Sequence, residues 1–201
     1  MIGPAALKAA LLLLHYSTYP ILLHYSTYPT YPTYLAYPTY PPPCVTVTLM
    51  YTTVLAVHSW VRWVALVAAV GTTLAAVRGR ISGPGSLADR WGMVAMMALD
   101  IQLLLGLLLY FVVSPNMQAI LDNFGGAMKD PALRFWAVEH TSSMFGAIAL
   151  AHVGRVLARK AATPAAKRTR LLICFGLATL LIILGMPWPG RPGGRVLIRG
   201  L

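Results

Sequence analysis

Acidic residues are scarce. The 201-residue chain has five Asp or Glu, against sixteen Lys or Arg, and charged residues of both signs make up only 10% of it. Soluble domains usually carry about a quarter charged residues, so so few charges point away from a water-facing globule. The two cysteines, Cys44 and Cys174, have no CxxC partner. That excludes a disulfide framework or a Cys-based zinc module. No nucleophile–base pair, phosphate-binding Gly-rich loop or run of metal ligands is present, so nothing suggests a stand-alone enzyme with its own substrate.

What the chain has instead is apolar length. Hydrophobic residues make up 58%, and they cluster at 54–77, 91–113, 134–157 and 171–188. Each stretch approaches or exceeds the roughly 20 apolar residues that cross a bilayer. The fold class is therefore all-α, an integral membrane up-down four-helix bundle with a non-globular N-terminal extension. The net charge of +11 is placed in connections beside the apolar runs, not on an aromatic-studded basic face, so nucleic acid is not expected as a partner. The bilayer is. Connections 78–90 and 155–170 hold nine basic residues between Arg78 and Arg170, against three in the C-terminal tail. The positive-inside rule puts both connections in the cytoplasm and both termini outside.

Residues 1–49 are a different kind of sequence. LLLHYSTYP at 12–20 is followed directly by ILLHYSTYP at 21–29, and TYP-like units continue to Pro43. A nine-residue unit is too short for a repeat fold, and closely spaced proline blocks helix and central strand alike. Two readings stay open: a flexible, polyproline-like arm, or a stretch outside the native coding sequence with translation starting at Met50. The second is favoured, because MYTTVLAVHSWVRW makes a natural start for a membrane helix. Residues 50–201 form the transmembrane domain.

Ionisable side chains inside spans are costly and mark sites, contacts or anchors. His58 and His140 enter from the same side on two parallel helices, at similar depth. Two neutral imidazoles at matched depth meet the requirement of a bis-histidine haem b, so both are candidate metal ligands. Arg62, one turn below His58, is a candidate partner for a haem propionate or for Glu139. Met144 and Tyr110 reach the same level and complete the candidate cofactor-binding set. Copper or zinc fits less well, since a third ligand at that depth is missing. Against the haem stands the plainer reading of two interfacial, hydrogen-bonded histidines.

A second intramembrane polar cluster comprises Asp100, Gln102, Glu139, His152 and Arg155. Asp100 is expected to face the third span, reaching His152 or Arg155 by a water or a tilt, either as a proton relay or as a helix-register pair. Met93, Met96 and Met97 read as bundle packing. Gly71, Gly106, Gly146 and Gly176 read as close helix contacts.

HSWVRW at 58–63, DIQLLLGLLLYFVVSP at 100–115, VEHTSSMFGAIALAHVGR at 138–155 and GMPWP at 185–189 together resemble a family of small bacterial four-helix membrane proteins. Some of these are labelled cytochrome b-like, and the family resembles the cytochrome b561 and copper-resistance D group. The resemblance covers about residues 50–201 and matches His58, Gln102, Glu139, His140 and His152 to recurring polar positions. It implies a bacterial inner membrane; the matched depth of His58 and His140 leads to the expectation of a b-type cytochrome-like electron-transfer subunit near the outer face, within a larger respiratory or photosynthetic complex. Asp100 stands where some relatives carry histidine, which argues against a second haem. The alternative is a non-catalytic accessory or scaffold subunit, since span four has no polar side chain beyond Thr179 and Cys174. A transporter ranks third, because no span is internally broken and no inverted repeat is visible.

Overall fold

A computed structural model describes residues 45–83 and 85–197. The readings of the repeat segment up to residue 44 lie outside the described residues. Four helices are long and apolar enough to cross a membrane, and the chain is an all-α, multi-pass membrane protein built as a four-helix bundle.

The first helix, α1, runs Val45–Val77. It starts nine residues before the expected Val54, because the run of prolines ends at Pro43 and nothing after it interrupts the backbone hydrogen bonds. The second, α2, runs Leu87–Leu108 and continues as a π-helical turn, Leu109–Val113. It begins earlier than residue 91 because Ser86 caps it: the Asp89 amide donates to the Ser86 hydroxyl oxygen. The connection between the second and third spans, expected as a loop with a short turn, forms three small helices: α3 Pro115–Asp122, α4 Phe124–Ala127 and α5 Pro131–Arg134. Each has a polar N-cap, Ser114, Asn123 and Asp130 in turn. The sequence carried these signals, in the form S-P, N and D-P. A second π-helical turn, Phe135–Glu139, leads into α6, His140–Arg159. Helix α7, Pro164–Gly185, takes in the basic residues Lys167, Arg168 and Arg170 that were expected in a loop. Thr163 caps it and Pro164 occupies its first turn. Its end before Met186-Pro187 falls where proline demands.

Helix pairs α1–α2 and α6–α7 are joined by short connections and lie antiparallel. The best-packed seams are α1–α2, α6–α7 and α1–α7, while α2 and α6 meet sparsely. Twelve of the eighteen buried residues of the main core are alanine, spread over all four long helices, and the other six are Ile81, Leu99, Leu171, Phe175, Ile182 and Met186. Large aliphatic and aromatic side chains lie outside, Leu104 at 68% and Phe111 at 63% exposure. Small residues inside and large apolar residues outside is the arrangement lipid favours. Hydrocarbon solvates a leucine as well as a core does, so close backbone approach drives association.

Two of the four expected glycine contacts are close ones, and a third, at Gly106, is an ordinary contact with His58. A Cβ on Gly71 would come within 2.8 Å of the Trp91 ring, and one on Gly146 within 2.9 Å of Leu181. Gly176 has nothing within 4 Å of that position, whereas Gly154 lies tight against Cys174. Met93 and Met97 are about half exposed on the outer face, so they are not the bundle packing expected of them.

The basic connections act as staples. Arg168 donates to the carbonyls of Ala76 and Val77 at the C-terminus of α1, where the helix dipole favours a cation. Lys167 donates to the Ile81 carbonyl and pairs with Asp89 at 2.8 Å. Arg155 donates to the Asp89 carbonyl and Arg170 to that of Leu157.

Candidate functional site

His58 and His140 come together. Their ring centroids are 6.4 Å apart, with the ring planes at 65°. The helical rise brings His58 to this level on α1, and the π-helical turn before α6 sets the angle at which His140 enters. Behind His58 stands Gly106, where a Cβ would lie 3.4 Å from the imidazole Cε1. That is van der Waals distance, so α2 and the ring are in contact here.

The hydrogen bonds fix the ring of His140. Its Nδ1 lies 2.7 Å from the Gly185 carbonyl. A carbonyl only accepts, so Nδ1 carries the hydrogen and Nε2 keeps its lone pair. This is the second-shell arrangement that orients a metal-binding imidazole. Met144 packs against Gly185 beside that carbonyl. The Gln102 side-chain amide lies 3.3 Å from His58 Nε2. Gln102 therefore belongs with the outer pair, not with the inner polar cluster in which its position suggested it. His58 Nδ1 and Gln102 Oε1 are buried without a hydrogen-bond partner among the described residues. Such groups are costly to leave without a partner, and both lie beside the histidine pair.

Several contacts differ from expectation. Glu139 pairs with Arg134 at 2.8 Å, not with Arg62. The two sit five residues apart, brought together by the π-helical turn, at the exposed end of the span. Arg62 instead donates to the Leu197 carbonyl, and the Trp63 indole donates to the same oxygen at 3.3 Å. Arg62 is close enough to both histidines, and Arg195 to His140, to interact with them electrostatically. Tyr110 donates to the Ala137 carbonyl at 3.0 Å and packs among Met117, Ile120 and Trp136. It holds the π-helical turn that leads into His140.

Sequence reasoning missed the aromatic and C-terminal walls. Trp136 and Phe135 lie 5.4 and 6.0 Å from the His140 ring. Arg195 stacks over Trp136 at 4.2 Å. Residues 186–197 fold back over the end of the bundle where the two histidines lie, and there Gly193 adopts a positive φ of 72° and packs close to Phe135 and Trp136. The glycine and proline density of this tail marked a turn, but nothing in it named the surface it covers.

The second cluster divides. Asp100 Oδ1 lies 3.3 Å from His152 Nε2 across the α2–α6 seam. The contact is direct, without the water or tilt the spacing suggested, because His152 Nδ1 is held by the Ile148 carbonyl one turn back at 3.0 Å. That bond turns Nε2 toward α2. Arg155 is not part of this pair and lies instead at the basic end of the bundle, on the Asp89 carbonyl.

Among the described residues no group of three or more His, Cys, Asp or Glu converges as a metal cage. A centre with two protein ligands is a smaller demand. Imidazole nitrogens bind a metal at ~2 Å, so two rings on opposite sides of one ion place their centroids about 6 Å apart. The separation of His58 and His140 fits that spacing. On His140 the nitrogen that could ligate, Nε2, is the one that keeps its lone pair. On His58, ligation through Nε2 would replace the Gln102 contact. Comparison with protein-family models, curated proteins and solved structures finds no match.

Proposed function

We propose that this protein is an integral membrane b-type cytochrome-like electron-transfer subunit, with one haem b between His58 and His140. The observation that carries the reading is the 6.4 Å ring separation, with Nε2 of His140 left as a ligand by its bond to Gly185. A bound haem supplies one-electron redox chemistry. The chain's own residues would position and tune it. Gly185 would hold the His140 ring in the ligating tautomer, Gln102 would give up its contact with His58 Nε2 on ligation, and Trp136, Phe135 and the folded-back tail would keep water from that end of the bundle. Arg62 and Arg195 supply the cationic groups that propionates require. Tyr110 and Met144 contribute by holding the backbone and the Gly185 wall. The positive-inside rule favours basic connections in the cytoplasm, which would put the pair near the outer face, and the resemblance favours a bacterial inner membrane. The resemblance to four-helix cytochrome b-like proteins supports the same reading.

The test is the pyridine haemochrome and the reduced-minus-oxidised spectrum of the purified protein, together with its His58→Leu and His140→Leu variants. Wild type is expected to show one haem b per chain and each variant little or none. Absence of haem absorption from wild type after expression with adequate haem supply ends the proposal.

A second reading is favoured by one observation. The half-exposed Asp100 and His152 lie on the sparse α2–α6 seam, and polar groups turned toward lipid are costly. A partner helix covering that seam makes this an accessory subunit of a larger respiratory or photosynthetic complex. Co-purification in mild detergent checks it: a monodisperse single chain with no stable partner counts against it.

A further inference from the structure

The end of the bundle that carries the basic connections holds a cavity of about 650 Å³. It opens between the connection from α1 to α2, the start of α2 and the connection from α6 to α7. Four cations line it, Arg90, Arg155, Arg159 and Lys167, and one carboxylate, Asp89. That carboxylate is already committed. It accepts from Lys167 at 2.8 Å and from the Ser86 hydroxyl at 2.6 Å. With Asp89 set against Lys167, three guanidinium groups remain.

Their donors are only partly used. Arg90 gives its Nε hydrogen to the Gly85 carbonyl at 3.0 Å. Arg155 gives one Nη hydrogen to the Asp89 backbone carbonyl at 2.7 Å, and its buried Nε has no hydrogen-bond partner among the described residues. Arg159 donates no side-chain hydrogen bond among them. The first turns of two 22-residue helices, α2 and α7, border the same space, and helix N-termini attract anions. Met93 on α2 lines the cavity and is half exposed, and Met97, one turn further along the same helix, is an exposed apolar side chain as well.

We propose that this cavity binds the phosphate of an anionic phospholipid headgroup, with the acyl chains laid along α2. The cations and helix ends recognise the phosphate, and the exposed methionines of α2 select a lipid over free phosphate. Simple enrichment of positive charge beside a membrane would engage anionic lipid without a site, and the experiment separates the two.

The full chain in mild detergent is titrated with phosphatidylglycerol, with phosphatidylcholine and with inorganic phosphate, and bound lipid is read by native mass spectrometry. Wild type is expected to prefer phosphatidylglycerol. Arg159→Gln should weaken that binding about fivefold, the factor that loss of one cation near an anionic headgroup corresponds to, and leave phosphatidylcholine unchanged. Lys160→Gln removes a neighbouring charge outside the cavity lining and should have little effect. Arg155→Gln should weaken binding further, but it also removes a tether between α6 and α2, so Arg159→Gln carries the decision. Equal binding of the two lipids overturns the proposal. So does an equal loss in Lys160→Gln and Arg159→Gln, or inorganic phosphate that displaces the lipid completely at millimolar concentration.

Discussion

Replacing Asp100 with leucine tests how the α2–α6 seam is held in the middle of the membrane. His152 Nδ1 gives its hydrogen to the Ile148 carbonyl, so the Nε2 that faces Asp100 is an acceptor in the neutral ring. A hydrogen bond to the carboxyl group therefore needs a proton on one of the two partners. Leucine removes that partner and leaves Nε2 against an apolar surface. The side chains are 41% and 47% exposed, so the full penalty of a buried orphan does not apply. Hydrogen bonds between membrane helices average ~0.6 kcal/mol and reach ~1.7. At 3.3 Å this one is longer than the usual ~2.9 Å optimum, which places the expected loss at about 0.5–1 kcal/mol. Asp100→Asn should hold wild-type stability, because its amide donates to Nε2 directly. The assay is reversible unfolding in mixed micelles of Asp100→Leu, Asp100→Asn, His152→Leu and the double leucine variant. The cycle should return a coupling in the same range. A coupling indistinguishable from zero, or Asp100→Leu as stable as Asp100→Asn, refutes the reasoning.

Three further outcomes are expected. Gly154→Leu forces a side chain into the Cys174 wall of the α6–α7 seam and should destabilise the fold by about 1–3 kcal/mol; the same unfolding assay reads it, and a neutral result removes the close-approach argument. Arg168→Gln strips two donors from the C-terminal carbonyls of α1 and should cost about 1 kcal/mol, seen as faster proteolysis within residues 78–86. In a Cys44→Ser background, Ser82→Cys should react with impermeant thiol reagents only from the cytoplasmic side, and Asn123→Cys only from the opposite side; the reverse pattern inverts the orientation.

Much of the architecture was legible in the chain because lipid imposes a simple rule. Every backbone group in the bilayer must be satisfied internally, so four apolar runs of sufficient length become four helices whatever their details. Matched depth likewise brought His58 and His140 to one level, because depth follows from residue count along a helix. Boundaries were less legible. Val45, Leu87 and Pro164 start helices that composition placed later, because capping by Ser86 and Thr163 extends a helix beyond its apolar stretch. The partners of each polar side chain were decided by tertiary structure alone. Gln102 reached His58, Glu139 turned to Arg134, Arg62 met the returning tail and Arg155 left Asp100 for the basic end of the bundle. Each of these depends on helix rotation and on two π-helical turns. Rotation is set by where alanine and glycine let backbones touch, and that is a property of the packed set of helices, not of any one segment.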